Sequence, residues 1–141
     1  MKILIVTDSF HTGGKERRLI ELLKGLVNRG VYCELIALSD VVQYEDLYSL
    51  DIKIHFLKRK YSKDISIFSK IAKIVREIQP DIIQSWSSMA SIYQIPVLIR
   101  RKVKFVNAII ADAPKSIKTS NPIYIKKKVT FPFSEAIVAN S

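Results

Sequence analysis

Lys2-Ile3-Leu4-Ile5-Val6-Thr7, running straight into Asp8-Ser9-Phe10-His11-Thr12-Gly13-Gly14, is the stretch on which the fold turns. A short run rich in Ile and Val, with no polar alternation, describes a strand buried on both faces, as in a parallel sheet. The polar loop behind it ends in two glycines. After them Leu19, Leu22, Leu23, Leu26 and Val27 recur at helical spacing, while Lys15, Arg18, Glu21, Lys24 and Asn28 take the other side. Gly30 stops this amphipathic helix, because glycine adopts the left-handed conformation without steric cost.

The same alternation continues along the chain. A second strand is expected over 31–38 and a third over 52–57, with a short helix around 44–49 between them. Ile67 or Phe68, Ile71, Val75 and Ile78 mark the next helix, with Asp64 as N-cap and Pro80 as its stop. A fourth strand follows over 81–86, then a helix over 88–99 that Pro96 deprives of one hydrogen bond and kinks. A fifth strand is expected over 103–110, a helix over 123–129 and a short sixth strand at Ala136–Ala139. Strands alternating with helices imply an α/β fold, a Rossmann-like three-layer α/β/α domain whose parallel sheet has about six strands. No internal repeat or low-complexity tract interrupts it.

The 141 residues suit one domain, and 48% hydrophobic with 26% charged residues is a globular composition. Cys33 lies in an apolar run and, as the lone cysteine, points to a buried thiol and a reducing compartment. The apolar run after Met1 and Lys2 is broken at Asp8, too short for a secretory signal. No apolar stretch approaches the roughly 20 residues that span a bilayer. A cytoplasmic protein is expected. The net charge of +10 favours an anionic partner: a phosphorylated substrate, nucleic acid or an acidic membrane leaflet. The basic residues are scattered over Lys15/Arg17/Arg18, Lys58/Arg59/Lys60, Arg100/Arg101/Lys102/Lys104 and Lys126/Lys127/Lys128, as on an ordinary solvated surface. No nucleic-acid motif accompanies them, so nucleic acid is not an expected partner.

Ligands of such sheets bind beyond the carboxyl ends of the strands. There Gly13 and Gly14 precede a helix, and without Cβ atoms they let a phosphate or sugar hydroxyl approach N–H groups at the positive helix end. The same pair also serves as a plain tight turn. The loop is neither a dinucleotide fingerprint, since Lys15-Glu16-Arg17 stands where the last glycine of G-x-G-x-x-G falls, nor a P-loop. Lys15 is a phosphate candidate from the first helical turn, whereas Arg17 and Arg18 read as solvated. His11 is either a base or hydroxyl ligand or an exposed loop histidine. His55, within the third strand, reads as structural.

After the fourth strand, Ser85-Trp86-Ser87-Ser88 offers hydroxyls and an aromatic face suited to a sugar, Trp86 being equally suited to the core. Asn107 and Asp112 flank the end of the fifth strand. Asp112 is placed to act on an acceptor hydroxyl as a general base, or to brace the loop before Pro114.

These residues resemble the retaining GT-B glycosyltransferases of the family 4 type, whose N-terminal half begins strand, Gly-Gly, acidic residue, amphipathic helix, Arg-Gly. The stretch 2–30 follows that order around Gly13-Gly14-Lys15-Glu16-Arg17-Arg18-Leu19-Ile20-Glu21-Leu22. Gln79-Pro80-Asp81-Ile82-Ile83 resembles the family's Pro-Asp approach to its fourth strand, and Ala136-Ile137-Val138-Ala139-Asn140-Ser141 the strand before its interdomain crossing. The resemblance implies that Gly13 and Gly14 lie in a cleft near donor phosphates and acceptor, with Glu16 supporting the loop. It implies a nucleotide sugar as substrate, with no cofactor or metal, and a glycan or lipid-linked acceptor in cell-surface polysaccharide assembly. It also implies a C-terminal donor-binding domain beyond 1–141, and the basic surface suits peripheral contact with the anionic inner face of the membrane. The chain departs from the family in lacking its histidine: Trp86 stands after strand four and Ala111-Asp112 after strand five, so no catalytic histidine is assigned.

Overall fold

The computed structural model describes residues 1–61, 64–100, 103–109 and 122–139. Six strands, β1 (Lys2–Thr7), β2 (Tyr32–Ala37), β3 (Lys53–Phe56), β4 (Ile82–Ser85), β5 (Lys104–Ile109) and β6 (Ala136–Ala139), form one sheet in the order β3-β2-β1-β4-β5-β6. Every pairing is parallel, with Ile3 opposite Cys33 on one side and opposite Ile82 on the other. Four α-helices connect them: α1 (Gly14–Asn28), α2 (Ser66–Ile78), α3 (Ser88–Arg100) and α4 (Pro122–Thr130). Single 3-10 turns stand at Glu45–Leu47 and Phe131–Phe133. The Rossmann-like α/β expectation is met.

Alternation along β1 divides the core in two. Ile3 and Ile5 join Leu19, Ile20 and Leu23 of α1, with Cys33, Leu35, Leu47, Trp86 and Ala108. Leu4 and Val6 face the other way, against Ile67, Ile71, Ile74, Val75 and Ile78 of α2 and Ala90, Tyr93 and Val97 of α3. Each fully buried aliphatic side chain contributes about 1.5–3 kcal/mol, so the apolar stripes hold the helices to the sheet far more strongly than their caps do. The sides are unequal: among the described residues α1 covers one face, while α2 and α3 cover the other and α4 packs on α3.

Local chemistry sets the ends. Gly30 has φ +71°, the left-handed stop its position predicts, and Gln79 adopts φ 50° ahead of Pro80. Asp64 caps α2 from one residue further out than expected: Oδ1 accepts the Ser66 N–H at 3.0 Å, while Oδ2 accepts that of Lys60 at 2.9 Å. These bonds, the Lys60 N–H first and then the Ser66 hydroxyl, hold its carboxyl below the usual range. Pro96 lies within α3 without ending it. At the amino edge of the sheet, buried Glu34 accepts the Tyr32 hydroxyl at 2.6 Å and pairs with His55 Nε2 at 2.5 Å, the structural role expected of His55. The Asp112 and Pro114 positions, and Asn140-Ser141, lie outside the described residues.

Candidate functional site

The strand order reverses between β1 and β4: β1 pairs with β2 on one side and β4 on the other. A parallel sheet opens a crevice at such a point, between the loops leaving the two strands. One wall is Asp8 to Gly13 ahead of α1. The other is Trp86 and Ser87 ahead of α3.

The first loop is pinned from outside the β-α unit. Phe10, fully buried, bridges to Val42, and its carbonyl accepts the Gln43 N–H at 3.0 Å. Gln43 Oε1 accepts both the N–H and the hydroxyl of Thr12, at 2.6 and 2.7 Å. The Tyr44 hydroxyl accepts the Gly13 N–H at 3.1 Å and donates to its carbonyl at 2.9 Å. Gly13 is extended, φ −175°, a conformation open to any residue, so its need is spatial. A Cβ there would fall 2.6 Å from Glu16 Oε2, whereas one at Gly14 would meet nothing within 4 Å. Gly13 makes room for a protein carboxylate, and Gly14 leaves space for something else.

Helix α1 begins at this point, with the Arg17 N–H bonding the Gly13 carbonyl at 3.2 Å. The N–H groups of Gly14, Lys15 and Glu16 precede the first intrahelical donor, Arg17, and so have no helix carbonyl to bond, the arrangement by which helix starts in general attract anions. The Lys15 ammonium is not free to join them. Asp8 holds it at 2.5 Å and Glu16 at 3.2 Å. Burial pulls its pKa down, but the bond and charge of Asp8, reinforced by Glu16, outweigh this and raise it above the ordinary lysine value. Lys15 therefore stays charged and offsets part of the negative charge of the two carboxylates beside the helix start.

The second loop turns inward. Trp86 is 6% exposed, and its indole N–H donates to the Lys15 carbonyl at 3.1 Å, tying one wall to the other. Ser87 caps α3, its hydroxyl accepting the Ala90 N–H at 3.1 Å. The Ser85 hydroxyl meets the Ser87 carbonyl at 2.8 Å and the Ser91 hydroxyl at 2.6 Å. Ser91 donates to Asn107 Oδ1 at 3.0 Å, and Asn107 Nδ2 donates to Thr130 at 3.0 Å. This chain is buried throughout and runs from β4 through α3 and β5 to α4.

Thus the structure places His11 exposed on the first loop, Gly13 and Gly14 at the helix start, and Lys15 in an internal ion cluster. Ser85, Trp86, Ser87 and Asn107 are buried supports behind the crevice, bonded to one another or to the first loop. Glu16 is buried under Gly13, Arg17 and Arg18 lie on the exposed side of α1, and Asp112 is outside the described residues. Sequence reasoning missed Gln43 and Tyr44, because the clamp spans 31 positions and no local pattern announces it. Among the described residues no three His, Cys, Asp or Glu side chains gather to hold a metal ion. Nor is any described helix long and apolar enough to cross a membrane.

Solved structures share the fold. Anabaena HepE in complex with UDP superposes with a TM-score of 0.76 at 17% identity, over 100% of this chain and 38% of that one. The apo lipopolysaccharide outer core galactosyltransferase WaaB gives 0.60 at 15% identity, over 76% and 32%. MurG of Acinetobacter baumannii gives 0.65 at 10%, over 99% and 41%. The chain thus spans well under half the length of each. No curated protein matches it by sequence. At these identities the superpositions establish the fold, a GT-B-type Rossmann unit. The sequence itself goes further: residues 12–141, from the pinned threonine onward, match the profile of Glycosyltransferase Family 4, and the chain belongs to that family.

Proposed function

We propose that residues 1–141 form the acceptor-side wall of a glycosyltransferase cleft, where a sugar passes with retained anomeric configuration from a nucleotide donor to a glycan or lipid-linked acceptor. The observation that carries this reading is the start of α1: N–H groups with no helix carbonyl ahead of them, beside open space at Gly14, at the point where the strand order reverses. As the glycosidic bond of the donor breaks, negative charge gathers on the departing diphosphate. Fixed N–H dipoles aimed at that charge lower the barrier without reorganising. Within the Asp8-Lys15-Glu16 cluster Lys15 offsets part of the carboxylate charge, and Tyr44 and Trp86 hold the turn still.

A second Rossmann-like domain, following residue 141, supplies most of the donor contacts, and Asp112 is the group assigned to the acceptor hydroxyl. HepE, a structural neighbour, was solved with UDP, which supports a nucleotide sugar as donor. The basic surface suits work beside an anionic leaflet in polysaccharide assembly. The test compares residues 1–141 alone with a polypeptide carrying the second domain, supplied with UDP-glucose and other nucleotide sugars. Turnover is expected only from the longer chain, and Gly14→Val in it is expected to lower kcat by roughly 100-fold, the scale of one lost oxyanion donor. Robust turnover by residues 1–141 alone would sink the reading. Micromolar, saturable nucleotide binding by them would favour a stand-alone module for phosphorylated ligands.

A further inference from the structure

A cavity of about 470 Å³ opens between the N-terminal ends of α2, α3 and α4, lined by Ile65, Phe68, Met89, Ile92, Tyr93, Pro122 and Lys126. Its size and apolar lining are those of a small-ligand site. Helices α2 and α3 follow β3 and β4, so the cavity stands at the same carboxyl edge as the crevice, and Met89 is two residues beyond Ser87. The Phe68 and Tyr93 rings pack at 5.0 Å and 59° on one wall. Ile65, at the mouth, is 72% exposed, an apolar side chain left in water where nothing described covers it.

We infer that this cavity receives the hydrocarbon chain of a phosphate-bearing lipid acceptor, with the Lys126 ammonium meeting the phosphate. This rests on the transferase reading and names its acceptor class. Apolar walls select the chain, since each buried methylene is worth about 0.8 kcal/mol. Among the described residues Lys126 is the one charged residue of the lining, and Lys127 and Lys128 follow it on α4, so the field of α4 at the mouth favours an anionic head. The same charge argues against a second copy as occupant, because two chains of +10 repel. A sugar-only acceptor would leave the apolar lining in water.

The test titrates the 141-residue chain with dodecyl phosphate below its micelle concentration, following the methyl resonances of Ile65, Met89 and Ile92. Saturable shifts at all three are expected, with weaker binding of dodecyl maltoside and none of inorganic phosphate at this site. Ile65→Glu, at an exposed position, should weaken binding by roughly tenfold or more through lost apolar contact and repulsion. Lys126→Gln should weaken it about tenfold, the worth of one charge-assisted bond. Silent Met89 and Ile92 methyls, equal affinity for the maltoside, or a dimer formed through this face would each overturn the assignment. Absent binding alongside intact transfer to a soluble acceptor by the two-domain polypeptide would reject the cavity and spare the transferase reading. Binding without any transfer would reject the transferase reading instead, and with it the acceptor role given to this lipid.

Discussion

The loop leaving β1 and the loop leaving β4 border the same crevice, yet they use polar residues in opposite ways. The first presents backbone: Gly13 and Gly14 carry no side chain, and partners from elsewhere, Gln43, Tyr44 and Trp86, fix its position. The second presents almost nothing: Ser85 and Ser87 turn into the protein and join a hydrogen-bonded chain that reaches Asn107 and Thr130, while buried Trp86 turns to the Lys15 carbonyl. A mobile N–H makes a poor anion site, since ordering it during binding costs about 1–2 kcal/mol per residue. Gln43 and Tyr44, from outside both loops, and the Trp86 indole of the second thus keep the bare backbone of the first in place.

The comparison breaks most sharply at Trp86, which leaves β4 and bonds to the start of α1 on the other wall. Trp86→Ala should cost about 3–5 kcal/mol in urea unfolding, as for a large buried aromatic. Trp86→Phe keeps most of the burial and removes the bond to the Lys15 carbonyl. It should cost about 1 kcal/mol and move the amide resonances around Lys15. Next is the support chain. Asn107→Ala leaves Ser91 and Thr130 short of buried partners and should cost about 1–3 kcal/mol.

The glycines sharpen the contrast within a single turn. Gly13→Ala forces the Glu16 carboxylate aside and disturbs its contact with Lys15. Because that carboxylate ends a flexible side chain, the cost should be only about 1 kcal/mol, and Glu16→Ala should relieve it in a double-mutant cycle. Gly14→Ala meets open space at the first helical position and should leave stability within about 0.5 kcal/mol, or raise it slightly. Similar costs for the two glycines would undo the distinction drawn between them.

The smallest expected effect belongs to the opposite edge of the sheet. Burial pushes the Glu34 carboxyl up, but the Tyr32 hydroxyl, then His55, then Lys53 together hold it below the ordinary value. Its folded pKa being lowered, the stabilisation is complete above the usual carboxylate range and is lost as pH falls through the lowered value. Glu34→Gln should therefore flatten the acid limb of a melting-temperature profile and leave the amides of Gly13 to Glu16 unmoved.

Much of the frame was legible because local patterns carry it. The apolar run at Lys2–Thr7, the helical spacing of Leu19 to Val27, and the stops at Gly30 and Pro80 depend on neighbours only, and each lies where its residues put it. The site was legible in place but less in detail. That Gly13-Gly14 begins a helix beyond β1 follows from order along the chain. That Lys15 spends its charge on Asp8 and Glu16, and that Trp86 reaches Lys15, depends on contacts across as many as 71 positions, and no periodicity encodes them. Serines and an asparagine at strand ends read equally as ligands or as struts, and only the buried chain from Ser85 to Thr130 shows what they bond inside the protein.

The central claim is that the start of α1 meets the donor as one wall of a cleft completed elsewhere. It is tested most directly by titrating UDP-glucose into uniformly labelled residues 1–141 and reading the amide resonances. The account predicts weak binding, with a Kd of about 1 mM or above, that is, no more than about 4 kcal/mol of binding free energy, and shifts centred on Gly14, Lys15 and Glu16 that vanish in Gly14→Val. Shifts that bypass those three amides, or saturation at micromolar ligand, would contradict it.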